Sequence, residues 1–340
     1  MQTNGPIHDY ARYASASSSS LLRPHAPGET SDAAVFIYRK NFSTLAQLSM
    51  LPSLFISGFV IIFYELIFPR LFVTQFESDT SLQVLEFCIY LFGGLTAGFI
   101  VANIGLAKIA TYAHVIVDAA INQEDLNRVQ VERRAAGHFG ISYLTMMRTI
   151  FFTMAPAMFS VVPLIICGLM LTITQETNII PGVAAALGSI LIPIGIIWSL
   201  TKLNVGLGAA SVALNENRKP KDAILRSKYL FGNKSKPPPK ANPAATAIGS
   251  SILIYILLRA GYSSLLSSFE VGSHIQNLMP TPYLKAAADI VIGILPEFLA
   301  ILFITPYVAI AAALFYYQRR ICVEGLDISL LNENLPSNRR

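Results

Sequence analysis

Six long apolar runs dominate this chain and limit the folds that it can adopt. A membrane-spanning helix needs roughly 20 apolar residues, and each run reaches that length. The runs are Ala46–Phe72, Leu85–Ala113, Thr149–Thr172, Ile179–Leu200, Ala244–Ser268 and Ala286–Tyr317, and the fourth is predicted to continue as a helix to about Leu214. Only 13% of the residues are charged, against about 25% in soluble proteins. The sequence therefore predicts an all-α, polytopic transmembrane bundle of about six spans.

The links between the runs alternate between basic and non-basic, and this alternation predicts the topology. Lys and Arg concentrate on the cytoplasmic side of membrane proteins. Basic residues are frequent before the first run, in the long links after the second and fourth runs, and after the last run; the other links carry at most one. We therefore expect a multi-pass protein of the bacterial inner membrane or plasma membrane, with both termini in the cytoplasm.

Each pair of runs follows a short amphipathic stretch that opens with an acid and carries arginine. The three stretches are Asp32–Leu45, Glu124–Met147 and Asp222–Phe231. Basic and apolar faces together suit the lipid headgroup layer, so these stretches predict interfacial helices. Residues 1–30, rich in Ser, Pro and Ala, are expected to be a disordered cytoplasmic segment. Residues 31–328 are expected to form the membrane domain, with a possible three-fold repeat over 31–121, 122–215 and 216–328, and 329–340 a cytoplasmic tail.

Short motifs near both ends and in the middle of the chain resemble one group of bacterial proteins. The first is Leu22-Arg23-Pro24 with Gly28-Glu29 and Ile37–Phe42. The central motif is Ala213–Asn217 with Leu225-Arg226-Ser227, and the last is Leu314–Arg320 with Glu324-Gly325. This set resembles uncharacterised membrane proteins grouped with the glycerophosphoryl diester phosphodiesterase membrane domain. The resemblance implies a helical bundle of about six spans and assigns no catalytic residue; Gln318 stands where the group usually has Asp.

Enzymatic motifs are missing from the sequence. The phosphodiesterase barrel that gives the group its name needs a His-Arg pair, and none of the five histidines is followed by arginine. Neither Gly-x-Ser-x-Gly nor His-Glu-x-x-His occurs. The cysteines Cys88, Cys167 and Cys322 have no metal-site spacing. We therefore expect a non-enzymatic protein with no cofactor and no metal.

Charged residues inside the apolar runs are the strongest functional signal, because burying a charge in lipid is costly. Glu65, Arg259 and Glu297 are predicted to lie at similar depth in the outer half of the bundle. The fifth and sixth runs are joined by a short link, so antiparallel packing brings Arg259 level with Glu297. Two interpretations stay open: a stabilising ion pair, and an anion-binding or proton-relay site.

The link between the fourth and fifth runs is the most basic part of the chain. We expect it to contact anionic lipid headgroups through Arg218, Lys219, Lys221, Arg226, Lys228, Lys234, Lys236 and Lys240. It has no aromatic platform for nucleic acid, and a cytoplasmic protein partner is the second possibility. The sequence thus predicts a protein that organises partner proteins or lipids in the membrane. The alternative is a small-solute or ion transporter or channel using the cluster of Glu65, Arg259 and Glu297.

Overall fold

In a computed structural model of the chain, all the elements described are α-helices. The structure describes residues 27–61, 93–174, 179–232, 243–268 and 281–325. The helices are α1 (Pro27–Lys40), α2 (Phe42–Ile61), α3 (Gly94–Ile121), α4 (Arg128–Thr174), α5 (Ile179–Glu216), α6 (Pro220–Phe231), α7 (Pro243–Ser268) and α8 (Pro282–Glu324). The prediction of an all-α helical bundle is confirmed. In this part of the chain, three segments are long and apolar enough to cross a membrane: Phe42–Val60, Thr96–Ile121 and Val291–Glu324.

The helix boundaries follow local sequence signals. At the start of α8, the Thr281 side chain accepts a hydrogen bond from the Leu284 N–H, and Pro282 occupies the first turn, where its missing N–H costs nothing. The helix ends at Gly325, whose φ of 64° suits a residue without Cβ. Between α5 and α6, Asn217 adopts a φ of 47°, which reverses the chain.

Two of the three predicted interfacial stretches form helices of their own, and the third does not. Most of the first stretch lies in α1. A break at Asn41 follows, and the last residues of the stretch, Phe42–Leu45, begin α2. The last corresponds to α6. The stretch Glu124–Met147 instead continues into the third apolar run as α4, a single helix of 47 residues. Arg148, which joins this stretch to the third apolar run, is neither Gly nor Pro, so no local signal ends the helix there. The prediction that the fourth run continues to about Leu214 is confirmed, since α5 ends at Glu216.

The bundle divides along its length into two regions. We call residues 27–49, 105–148, 205–232 and 305–325 the packed end, because every member of the buried apolar cluster lies there. The remaining described residues form the apolar end, where most of the exposed large hydrophobic side chains lie, such as Leu257 and Ile197. The exceptions, on the packed end, are Val35, Phe36, Phe42, Val129, Leu144, Leu225 and Tyr229.

Candidate functional site

The most connected polar site lies at the packed end, where α5, α6 and the end of α8 meet. Tyr316, Arg320 and Glu324 follow one another at intervals of four residues on α8, so they share one helix face. Glu216 is the last residue of α5, and Arg226 lies on α6. The reversal at Asn217 returns α6 along α5, with the Ser227 hydroxyl donating to the Val205 carbonyl at 2.6 Å. This hairpin brings Arg226 beside Glu216.

Five side chains form a closed ring of hydrogen bonds, which we call the charged ring. Arg226 Nε lies 3.2 Å from both carboxylate oxygens of Glu216, and another nitrogen of Arg226 forms a short ion pair with Glu324. Arg320 Nε donates to Glu324 Oε2 at 3.1 Å, and Arg320 Nη1 donates to the Tyr316 hydroxyl at 3.2 Å. That hydroxyl donates to Glu216 Oε1 at 3.2 Å, which closes the ring.

Burial and extra cations strengthen the charged ring. The Glu216 side chain is 11% exposed and the Arg226 side chain 20%, so water screens their attraction less than on a free surface. Arg218 adds a third cation, its Nε 2.7 Å from Glu216 Oε2. Next to the ring, buried Arg319 donates through Nε and Nη2 to the Leu230 carbonyl at 3.0 and 2.9 Å. These bonds fix the C-terminal turn of α6 against α8.

A second group of polar side chains lies next to the charged ring, where α8 meets α3 and α5. The Tyr317 hydroxyl lies 2.6 Å from Asn215 Oδ1 and 3.1 Å from Asp118 Oδ1. The buried His114 ring stacks on Tyr317, with 6.3 Å between ring centroids. Tyr316 and Tyr317 therefore link α8 to α5 and α3 through adjacent hydroxyls.

Among the described residues outside the candidate spans and the shorter apolar helix Ser251–Leu265, two groups have shifted pKa values. Burial lowers the pKa of Arg226, but the Glu216 and Glu324 carboxylates raise it more, so the net shift is upward and the guanidinium stays charged. Burial alone raises the pKa of Tyr38 to about 12. The Tyr38 hydroxyl donates to the Phe303 carbonyl at 2.9 Å. That bond anchors α1 to α8 where the packed end meets the apolar end.

The predicted lipid-contact residues fall into three groups. Lys219, Lys221 and Lys228 are exposed around α6. Arg218 and Arg226 are ion-paired to Glu216. Lys234, Lys236 and Lys240 lie outside the described residues. The exposed side of α6 also carries Leu225 and Tyr229, each 58% exposed.

Arg259 and Glu297 lie together in the apolar end, as the antiparallel spacing predicts. Arg259 Nη1 is 2.7 Å from Glu297 Oε1, and the Tyr255 hydroxyl donates to Glu297 Oε2 at 2.5 Å. Arg259 Nη1 also donates to that hydroxyl at 2.9 Å. Glu65, the third member of the predicted cluster, lies outside the described residues. Arg259 is 53% exposed on α7, and the role of the pair stays a prediction.

The charged ring was not predicted from the sequence, although its residues stand in the motifs that carry the family resemblance. Glu216, Arg226, Tyr316, Arg320 and Glu324 all belong to the central and final motifs. The acids and arginines within these two motifs were the available signal, but no periodicity relates motifs so far apart in the sequence. Among the described residues, no group of three or more His, Cys, Asp or Glu could hold a metal ion.

Comparisons with known proteins add no family. No protein-family model matches this chain, and neither the curated proteins nor the solved structures give a match. The resemblance of the short motifs therefore stays a prediction.

Proposed function

We propose that this chain is a non-enzymatic, multi-pass protein of the bacterial inner membrane or plasma membrane that organises lipids or partner proteins at the cytoplasmic surface. In this proposal the apolar end lies in the bilayer and the chain crosses it six times. The candidate spans Thr96–Ile121 and Val291–Glu324 continue into the packed end, whose far side carries the charged ring and faces the cytoplasm with both termini. The observation that carries the proposal is the division of the bundle. One end exposes apolar side chains that only lipid solvates well, and the other buries them under a charged, basic surface.

The residues at the junction of the two ends support a headgroup layer at that depth. Lys108, Arg148 and Lys202 lie near the junction on α3, α4 and α5, and Tyr38 contacts the carbonyl of Phe303 there. Tyr, Trp and basic side chains are typical of membrane–water interfaces. Beyond the junction, α8 continues from residue 305 to residue 324, about 29 Å of helix at 1.5 Å per residue. In this proposal the charged ring therefore lies well beyond the junction, on the cytoplasmic side.

The exposed side of α6 supports a surface role for the packed end. Lys221, Leu225, Lys228 and Tyr229 share this side and are exposed. The opposite side is buried, with Leu230 and Phe231 in the apolar cluster. A helix that offers both apolar and basic side chains outward suits anionic headgroups or an acidic protein surface.

Two positions on one helix test this topology. Lys285, exposed near the start of α8, and the exposed Cys322 near its end lie roughly 55 Å apart along the helix. In a background without the other two native cysteines, Lys285→Cys with Cys322→Ser should react with an impermeant maleimide on intact spheroplasts. The variant that keeps Cys322 alone should react only after lysis. Labelling of Cys322 from outside would reject the proposed orientation.

A transporter or channel is the second candidate, and the Arg259–Glu297 contact bears on it. A transport site needs polar groups on a water-reachable path. Arg259 Nη1 and the Tyr255 hydroxyl both bond to Glu297, which favours a structural pair. Solute flux into proteoliposomes that fell in Glu297→Gln without loss of folded protein would favour transport.

A further inference from the structure

A groove between α4 and α5 has the features of a site for a single lipid. Its volume is about 630 Å³, and its lining combines two cations with apolar and aromatic side chains. The lining includes Arg148, Phe152, Leu191, Ile194, Trp198 and Lys202. Among the described residues no acid lines the groove, so its charged end favours an anion.

The two cations lie close together at one end of this groove. Gly206 packs against Thr149 and Thr153, where an added Cβ would lie 3.1 and 2.9 Å from their methyl groups. This contact fixes the antiparallel register of α4 and α5. Arg148 precedes Thr149 directly, and Lys202 lies about one helical turn from Gly206. Both cations therefore lie at the junction of the packed and apolar ends.

The two cations differ in what already surrounds them. Arg148 is exposed and has no ion-pair partner among the residues that the structure describes. Lys202 Nζ lies 4.8 Å from the centre of the Phe152 ring and 4.9 Å from that of Trp198. The ring faces attract the ammonium but accept no strong hydrogen bonds, so its N–H donors remain available to a phosphate.

The apolar part of the groove has the length of one leaflet. From Lys202 back to Leu191, α5 rises roughly 16 Å, and half of the hydrocarbon core measures about 15 Å. In this stretch Ile194 is 51% exposed, and Phe151 on α4 is 63% exposed. The stretch leads away from the cations and towards the proposed bilayer centre. The cations therefore lie at the level of the lipid headgroups, and the apolar lining lies at the level of the acyl chains.

We propose that this groove binds one anionic phospholipid of the bilayer, with its phosphate held by Arg148 and Lys202 and an acyl chain lying along the apolar lining. The site is separate from the basic link around α6, and the proposal rests on the membrane location proposed above. It specifies which lipids the protein would organise. Its position between two spans distinguishes it from nonspecific attraction to a charged surface.

The only tryptophan of the chain, Trp198, lines the groove and reports on it directly. The full-length protein is reconstituted in bilayers of phosphatidylcholine, and its fluorescence is quenched by brominated phosphatidylglycerol or brominated phosphatidylcholine. We expect the anionic lipid to be preferred roughly tenfold, given two basic residues at the headgroup level. Arg148→Gln with Lys202→Gln should reduce this preference to about twofold or less.

Two control proteins and one competitor separate the outcomes. Arg148→Lys with Lys202→Arg keeps both charges and should keep most of the preference for the anionic lipid. Lys285→Gln removes a basic residue near the start of α8, outside the groove lining, and should leave that preference unchanged. Equal quenching by both lipids in the wild-type protein, or a preference that survives in the double Gln variant, would overturn the lipid site while leaving the membrane proposal intact. Quenching by neither lipid would instead contradict the membrane location. Relief of quenching by millimolar inorganic phosphate would overturn the assignment to a lipid.

Discussion

The packed end and the apolar end of this bundle place their large apolar side chains in opposite ways. At the packed end, residues such as Ile310 and Leu230 are fully buried among neighbouring helices. At the apolar end, α7 exposes Leu253, Leu257 and Leu265 at its surface. The same long helices, including α5 and α8, pass through both ends. Secondary structure therefore continues unchanged while the side-chain pattern changes from one suited to water to one suited to lipid.

The two ends also treat polar groups differently. At the packed end, the charged ring connects α5, α6 and α8 through several bonds. At the apolar end, polar contacts among the described residues join pairs of neighbouring helices, such as the Tyr262 hydroxyl donating to the Ile292 carbonyl at 2.7 Å. On α2, the buried hydroxyls of Ser53 and Ser57 have no hydrogen-bond partner among the residues that the structure describes. The packed end thus combines a polar network with a buried apolar cluster, and the apolar end has neither.

The largest effect is expected from breaking the charged ring. Glu216→Gln removes the charge that pairs with Arg226 and Arg218 and should lower the free energy of unfolding by about 2–3 kcal/mol, the usual cost of stranding charged partners that are partly buried. The measurement is thermal unfolding of the full chain in detergent. Glu132→Gln, at an exposed carboxylate of α4, is the matched control and should change stability by less than about 0.5 kcal/mol. Equal losses in both variants would show that the ring does not stabilise the packed end.

An intermediate effect is expected from two glycines on long helices. A Cβ at Gly208 would meet the Phe231 ring and lie 2.8 Å from Ser227 Oγ, whereas a Cβ at Gly293 would meet nothing within 4 Å. Gly208→Ala should therefore destabilise the protein by about 1–3 kcal/mol through overpacking. Gly293→Ala should be neutral or add up to about 1 kcal/mol through helix propensity. Similar melting temperatures for the two variants would mean that α6 is not seated tightly on α5.

The smallest effect is expected from the ion pair of the apolar end. A double-mutant cycle of Arg259→Leu and Glu297→Leu should give a coupling energy of about 1 kcal/mol, because Arg259 Nη1 lies 2.7 Å from Glu297 Oε1 and polar contacts between helices in membranes couple by roughly 0.6–1.7 kcal/mol. Each single variant should melt lower in detergent, and the double variant should recover part of the loss. Strictly additive losses would show that the two side chains do not stabilise each other.

Much of the fold could be predicted from the sequence because helix-forming apolar runs are local signals. The register of Arg259 and Glu297 was also predictable, since a short link forces α7 and α8 to lie antiparallel. The merging of Glu124–Met147 into α4 was missed because an amphipathic pattern gives no stop signal where Arg148 joins the apolar run. The number of spans and their orientation stay predictions.

The charged ring could not be predicted because its members come from distant parts of the chain. Arg226 illustrates the difficulty. In the sequence it belongs to a basic link and predicts lipid contact, but in the fold its guanidinium lies between Glu216 and Glu324. Which cations form ion pairs depends on the packing of α6 against α5 and of α8 against both helices. Charge counts therefore do not predict the partner of each charge.

The long sequence separations in the charged ring also determine when during synthesis the packed end can be completed. Tyr316 follows its partner Glu216 by 100 residues, so the ribosome must translate α7 and nearly all of α8 before the ring can close. Until then Glu216 and Arg226 have only each other and Arg218 as partners. Domains generally begin to fold from the N-terminal side as the chain emerges. The packed end of this protein is therefore finished last, after the earlier helices have left the ribosome.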